Sequence, residues 1–146
     1  MSPMPPVSRR ILVVDDEPLV RDAIRCVLRF DGYSVEIAAN GEEALALFQK
    51  SNFDLIITDY DMPGITGDQL AVAIKALQPL QPILMVSAHG EQLRSESHNL
   101  TVVDAILTKP FHIEELREAI ACLLAKSDSI VSARVVPDAT QTRLRP

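Results

Sequence analysis

The sequence has few cysteines, no long hydrophobic run and no excess of positive charge, and each shortage excludes a class of protein. Its two cysteines, Cys26 and Cys122, each lie inside an apolar helical pattern. We therefore expect two reduced core thiols rather than a disulfide or a metal site. The net charge of −6, from 14 basic and 20 acidic residues, argues against a nucleic-acid surface, which is normally basic.

Targeting segments are also missing. No stretch is long and apolar enough to span a membrane, and the proline-rich start lacks the hydrophobic segment of a secretory signal. A cytoplasmic location is therefore expected, with no membrane contact.

The length of 146 residues suits a single domain. Residues 1–8 are predicted to be a flexible leader, and residues 9–126 carry the periodic patterns of a folded domain. Beyond Lys126 the periodicity ends, so residues 127–146 are predicted to be a disordered tail or a truncated linker. A strand borrowed by a neighbouring molecule is the remaining alternative for this segment.

Four short apolar runs each end in residues that can handle a phosphoryl group. The runs are Ile11–Val14, before Asp15 and Asp16; Leu55–Thr58, before Asp59; Ile83–Val86, before Ser87; and Ala105–Thr108, before Lys109 and Pro110. Such runs are typical of buried strands in a parallel sheet when helical patterns lie between them. Right-handed crossovers place the carboxyl ends of all parallel strands at one edge. The sequence therefore predicts that these side chains converge on one rim of the sheet.

Helical patterns occupy the intervals between the strands. Pro18 suits the first turn of a helix, Asn40 and Glu43 have the spacing of a capping box, and Ile113 starts a strong apolar stripe. Residues 91–100 form a weaker, polar helical pattern, and residues 34–38 alternate as an edge strand. The count is five strands and five helices. This predicts an open, doubly wound α/β domain with helices on both faces, and strand order 2-1-3-4-5 would make the two aspartate-bearing strands adjacent.

The rim predicts a magnesium-dependent phosphoacceptor. Each carboxylate pair about 4 Å apart repels by about 4 kcal/mol at an effective dielectric near 20. Three carboxylates therefore need a cation, and hard oxygen ligands select Mg²⁺. Asp15 and Asp16 suit the metal, Asp59 suits the nucleophile, and Lys109 and Ser87 can contact phosphoryl oxygens.

A simpler interpretation exists for each residue alone. Aspartate after a strand is commonly a helix N-cap, and lysine before proline is usually a solvated loop charge. Neither interpretation explains why four strand ends carry such residues together.

The motifs resemble those of the receiver domain of two-component response regulators. The segments that carry the resemblance are Ile11–Pro18, Thr58–Gly64, Ser87–Ala88 and Lys109–Phe111, in family order over about residues 9–126. The resemblance implies a flavodoxin-like receiver fold, with Asp59 accepting phosphate from a phosphohistidine on a sensor histidine kinase or histidine phosphotransfer protein. It implies Mg²⁺ bound by Asp16, Asp59 and the backbone carbonyl of Asp61, with Asp15 assisting through water.

The resemblance also assigns roles to the remaining motif residues. It implies that Lys109 contacts the phosphoryl group, that Ser87 starts the conformational switch, and that the Lys109–Pro110 peptide bond is cis. Two departures affect the output mechanism. Ile106 stands where the family usually has Tyr or Phe, and residues 102–104 lack the usual Gly-Ala.

Several functions stay open at this point. A stand-alone receiver or phosphate shuttle is favoured over a receiver fragment of a hybrid histidine kinase or larger regulator, and over a binding module that does not depend on phosphate. The segment Asp59–Asp61 also resembles the nucleophile motif of haloacid-dehalogenase-type phosphatases, but that family places its metal-binding acids late in the chain. We therefore expect no substrate turnover. The downstream target is unknown, and the protein is expected to be a monomer or a phosphorylation-dependent dimer.

Overall fold

The computed structural model describes residues 8–89 and 102–144, with side chains described as far as residue 128. Five parallel strands form one sheet in the order β2-β1-β3-β4-β5, which confirms the predicted topology. The strands are β1 (Arg10–Val14), β2 (Ser34–Ala38), β3 (Leu55–Asp59), β4 (Ile83–Ser87) and β5 (Ala105–Thr108). β1 and β3 are neighbours, with Val14 beside Thr58, so Asp15 and Asp59 leave adjacent strands at the same edge.

Four helices in the described ranges cover the sheet. They are α1 (Pro18–Phe30), α2 (Gly41–Lys50), α3 (Gly67–Leu77) and α4 (Ile113–Leu144). α1 and α4 pack on one face through a core that includes Leu28 and Leu116. α2 and α3 pack on the other through Ala44, Leu70 and Ile74. The fifth helix, predicted over residues 91–100, lies outside the described residues.

Local sequence signals explain where these helices begin and end. Pro18 is the first residue of α1, where its missing N–H is not needed. Gly32, with φ of +99°, turns the chain into β2. The Asn40 side chain accepts from Glu43 N, as the predicted capping box requires, whereas the Glu43 carboxylate accepts from the N–H of Ala39, the residue before the N-cap.

Two aspartates extend the sheet ladder at the edge opposite to the predicted site. Asp54 donates its N–H to Arg10 O and accepts from Arg10 N with its carboxylate. Asp104 does the same with the O and N of Ile83, and its carboxylate also binds Lys75 Nζ at 3.0 Å. Each aspartate carboxylate therefore accepts from the first backbone N–H of the neighbouring strand. These bonds fix the pairing of β3 with β1 and of β5 with β4.

The structure corrects the prediction that the two cysteines lie in the core. Cys26 and Cys122 are both exposed, because each lies on the outer side of a helix whose neighbouring residues Ile24, Leu28, Leu123 and Leu124 face the core. The backbone of α4 is helical through Leu144, and the assignment of residues 127–146 as a disordered tail or truncated linker stays a prediction. Between Ile113 and Leu144 there is no glycine and one proline, Pro137. The residues after Lys126 lack an apolar stripe, so hydrophobic periodicity could not reveal the helix.

The beginning of the domain is tied to α4. Arg9 forms an ion pair with Asp128 and lies 3.8 Å from an oxygen of Asp54.

Among the described helices, none has the length and hydropathy that a membrane span requires.

Candidate functional site

Three carboxylates meet at the carboxyl edge of the sheet. One oxygen each from Asp15, Asp16 and Asp59 can be chosen so that all three lie within 4.8 Å of one another. Asp15 and Asp59 are only 2% and 5% exposed, whereas Asp16 is half-buried. β1 and β3 bring them together because each apolar run ends at the same level of the sheet. The result is a cluster of oxygen ligands with one side open to solvent.

Among the described ion pairs, Lys109 is the only cation that contacts this cluster. Its Nζ lies 3.3 Å from Asp59 Oδ1 and 3.7 Å from Asp15 Oδ2. The Lys109 N–H donates to Ser87 O at 2.8 Å, which continues the ladder of β4 and β5 by one step. The Lys109–Pro110 peptide bond is cis, as the resemblance implies.

The electrostatics of the cluster favour an additional cation. Burial, with the negative charge of Asp15 next in weight, raises the pKa of the Asp59 carboxyl group from 3.8 to about 6 despite Lys109. Burial likewise raises the pKa of Asp15. Burial acts to lower the pKa of Lys109, but the charges of Asp59 and Asp15 outweigh it and the pKa is raised. One ammonium group therefore does not fully compensate the buried carboxylates.

The other predicted residues occupy the surrounding strand ends and loops. Ser87 is fully buried at the end of β4, and its Oγ accepts from His89 N at 3.0 Å. Asp61 follows Asp59 by two residues and its side chain is exposed. Ile106 is half-buried in β5, where it is the partner of Met85 in the register. Roles for Ser87 and for the Asp61 carbonyl stay predictions.

None of the three aspartates caps a helix. The N-cap of α1 is Glu17, and the N-cap of α3 is Thr66. Asp15 instead accepts from Glu17 N with Oδ1 at 2.9 Å, which keeps its carboxylate at the strand end. The simpler interpretation of these aspartates as capping residues therefore does not hold.

Two residues near the cluster were not singled out from the sequence. Arg21 of α1 donates from Nη1 to the backbone carbonyl of Asp15 at 3.0 Å. Gly67 opens α3 so close to β3 that a Cβ atom would lie 2.4 Å from Asp59 O and 2.8 Å from Tyr60 Cα. Only the break between the loop and the apolar pattern of α3 marks Gly67 in the sequence, and no periodic signal marks Arg21.

The donor set fits Mg²⁺. The ligands on offer are carboxylate oxygens, with no histidine or cysteine in the cluster, and hard oxygen ligands suit this ion. Burial raises the pKa of Asp59 most, and the negative charge of Asp15 adds to the rise; a divalent cation would offset both effects by stabilising the ionised carboxylate.

Known proteins are similar to this chain in sequence and in structure. The response regulator MprA of Mycolicibacterium vanbaalenii is 36% identical over 118 residues, which cover 81% of this chain and 51% of MprA. The chain thus spans about half the length of the curated relatives it matches. Among solved structures, the response regulator TrrA of Thermotoga maritima in complex with Mg²⁺-BeF has 38% identity and a TM-score of 0.74, covering 79% of this chain and 98% of TrrA.

A second structure contains TrrA with the histidine kinase ThkA. There the match has 37% identity and a TM-score of 0.73, and covers 80% of this chain and 98% of the matched one. The model of the response regulator receiver domain matches residues 11–121. With its five-stranded sheet and its acidic rim, the chain belongs to the family of response regulator receiver domains.

Proposed function

We propose that Asp59 accepts a phosphoryl group from a phosphohistidine, in a reaction that requires Mg²⁺. The observation that carries this proposal is the meeting of Asp15, Asp16, Asp59 and Lys109 at one strand edge. An Asp59 oxygen attacks the phosphorus, the phosphorus–nitrogen bond breaks, and the imidazole leaves with that electron pair. The product is an acyl phosphate on Asp59.

Each neighbour of Asp59 has a distinct role in this proposal. Asp15, Asp16, Asp59 and the Asp61 carbonyl would hold Mg²⁺, which when bound neutralises carboxylate charge and orients phosphoryl oxygens. Lys109 keeps Asp59 ionised in a buried setting before the reaction. During transfer its ammonium group can meet the charge on the phosphoryl oxygens.

The signal is proposed to leave the site through Ser87. Its hydroxyl group is buried and bonded to His89 N, so a bond to a phosphoryl oxygen would change the start of the loop after β4. Altered binding of a downstream protein would follow. The protein itself is proposed to turn over no substrate.

The partner is proposed to be a sensor histidine kinase or a histidine phosphotransfer protein. The complex of TrrA with ThkA supports this class of partner. We favour a stand-alone cytoplasmic receiver or phosphate shuttle, monomeric or dimerising on phosphorylation. The alternative is the receiver part of a hybrid kinase or of a larger regulator, which the half-length matches to curated relatives keep open.

Intact-mass measurement with acetyl phosphate tests the assignment of Asp59. The wild-type protein should gain one phosphate in Mg²⁺ and none in EDTA, and Asp59→Asn should gain none. Asp22→Asn, which removes an exposed carboxylate of α1, is the control and should react like wild type. Unchanged phosphorylation of Asp59→Asn would show that Asp59 is not the acceptor, and turnover of a generic phosphomonoester would favour a phosphatase.

A further inference from the structure

Arg21 connects α1 to the acidic cluster through the backbone of Asp15. Its backbone N–H lies in the first turn of α1 and donates to Glu17 O at 3.0 Å. Its side chain turns back toward the start of the helix, in the direction helical side chains favour, and Nη1 reaches Asp15 O at 3.0 Å. The contact therefore runs from a helix to the backbone of a strand end.

The surroundings of Arg21 Nε do not explain an arginine at this position. Arg21 Nε is buried and has no hydrogen-bond partner among the described residues. A buried donor without a partner is unfavourable, and an unbranched apolar side chain would avoid that penalty. The guanidinium group is thus present in spite of an unsatisfied N–H, which points to a role for its contact with Asp15 O.

That other contact fixes the peptide group between two members of the cluster. The Asp15 carbonyl belongs to the planar peptide unit that joins Asp15 to Asp16. Asp15 N donates to Ala38 O at 3.1 Å, and Asp15 Oδ1 accepts from Glu17 N. The hydrogen bond from Arg21 to Asp15 O is a further restraint on this turn. It holds the plane of the peptide unit that leads into Asp16.

We propose that Arg21 is a positioning residue for the divalent cation, holding Asp15 and Asp16 at the spacing that the ion needs. The inference rests on the proposed function, because it assumes that Mg²⁺ binds this cluster. The direction in which Mg²⁺ affinity changes when Arg21 is removed distinguishes a positioning role from a purely electrostatic one. Positive charge near the cluster opposes a cation, so a purely electrostatic Arg21 would weaken Mg²⁺ binding and its removal would tighten it. A positioning Arg21 strengthens binding, and its removal weakens it.

Calorimetric titration of Mg²⁺ into the full chain tests this sign. We expect Arg21→Gln to raise the Mg²⁺ dissociation constant about tenfold, the scale typical of groups that orient metal ligands. Arg21→Lys keeps a donor and should fall between Arg21→Gln and wild type. With acetyl phosphate, the Mg²⁺ concentration for half-maximal rate should rise in parallel, while the rate at saturating Mg²⁺ stays close to wild type.

Arg25→Gln is the matched control. Arg25 lies one turn further along α1, and its contact is with Asp22 at 3.1 Å. Removing its charge should leave the Mg²⁺ constant unchanged. The proposal is overturned if Arg21→Gln binds Mg²⁺ as tightly as wild type or more tightly, whatever its melting temperature. If Arg21→Gln does not fold, Arg21→Lys against Arg25→Lys gives the same comparison, and equal constants overturn it. Failure of wild type to bind Mg²⁺ would instead refute the proposed function.

Discussion

Lys109 contacts both buried carboxylates of the site. A change in the charge of either carboxylate therefore acts directly on its ammonium group. Because Nζ lies 3.3 Å from Asp59 Oδ1, a phosphoryl group that entered as we propose would share this cation with Asp59. Lys109 thereby connects the charge of Asp59 with the position of β5.

Lys109→Ala should fold but accept phosphate more slowly from acetyl phosphate, by about 10²-fold, as found when one preorganised electrostatic donor is removed. Its amide-exchange response to phosphorylation should also be lost. Phosphorylation rate and hydrogen exchange measure the two effects. Lys50→Ala, at the exposed end of α2, is the control, and a wild-type rate and exchange response in Lys109→Ala would show that Lys109 is only a solvated charge.

The pKa of Asp59 gives the second prediction at this scale. It is about 6 in the folded protein against 3.8 as the ordinary value, so the folded state holds its proton more strongly than the unfolded state. This contribution to stability is complete below about pH 4 and is lost as the pH rises through 6. The shift corresponds to at most about 3 kcal/mol.

Asp59→Asn should therefore raise the free energy of unfolding at pH 7.5 in EDTA by about 1–3 kcal/mol. The difference from wild type should shrink toward zero between pH 6 and 4. Urea unfolding at several pH values measures it, with Asp22→Asn as the exposed control. Saturating Mg²⁺ should narrow the gap at pH 7.5, because the ion stabilises only the folded state that binds it. A gap that is independent of pH would contradict the assignment.

At the scale of the elements, sequence patterns predicted what depends on local chemistry. The four strands at the rim could be predicted because each apolar run ends in a polar residue, and α2 because Asn40 and Glu43 cap it. The rule for parallel crossovers placed the strand ends at one edge, whereas the order 2-1-3-4-5 came from the known orders of doubly wound folds. These features depend on neighbours in the sequence or on general geometry, so one sequence is enough to reveal them.

Contacts between distant elements could not be predicted in this way. The ladder-extending carboxylates of Asp54 and Asp104 bond to residues 44 and 21 positions away, and the sequence around them has no periodic signal. In the sequence, Asp104 stands out only as a departure from the family pattern, yet it binds the first backbone N–H of β4 and the ammonium group of Lys75. The outward orientation of Cys26 and Cys122 likewise depends on which side of each helix packs, and an apolar helical pattern alone did not reveal it.

Ile106 gives a prediction about β5. Isoleucine is stiff at χ1 and has no aromatic ring to move, and its place in the sheet is set by pairing with Met85. We expect beryllofluoride with Mg²⁺ to change hydrogen exchange mainly at residues 88–100 and little at Ile106. This range contains the loop after β4 and the weakly packed helix that the sequence predicts over residues 91–100. Asp59→Asn with the same additives is the control. The largest change on β5 and α4, with residues 91–100 silent, would contradict this route.

At the scale of the whole molecule, α4 extends past the segment that packs on the sheet. Its last buried residue among those with described side chains is Leu124. Beyond it, Asp128 pairs with Arg9 at the opposite edge from Asp59. Both side chains are more than a third exposed, so this pair is worth at most about 1 kcal/mol.

Deleting residues 127–146 should therefore lower the melting temperature by less than about 5 °C and leave phosphorylation unchanged. Differential scanning calorimetry and intact mass measure the two outcomes. Asp128→Asn in the full chain is the control that removes the ion pair alone. A larger fall in melting temperature for the deletion than for Asp128→Asn would show that the segment packs on the domain or on a second copy.

The two edges of the sheet suggest how the protein can be attached to a surface for binding measurements. Arg9 and Asp128 meet at the edge where the strands begin, and the acidic cluster lies where they end. Five-residue strands separate these edges by about 13 Å of sheet. Coupling through a cysteine introduced beside Arg9, with Cys26 and Cys122 replaced by serine, would therefore leave Asp59 facing the solution. The immobilised protein could then be tested for the proposed binding of Mg²⁺ and of a histidine kinase without interference from the support.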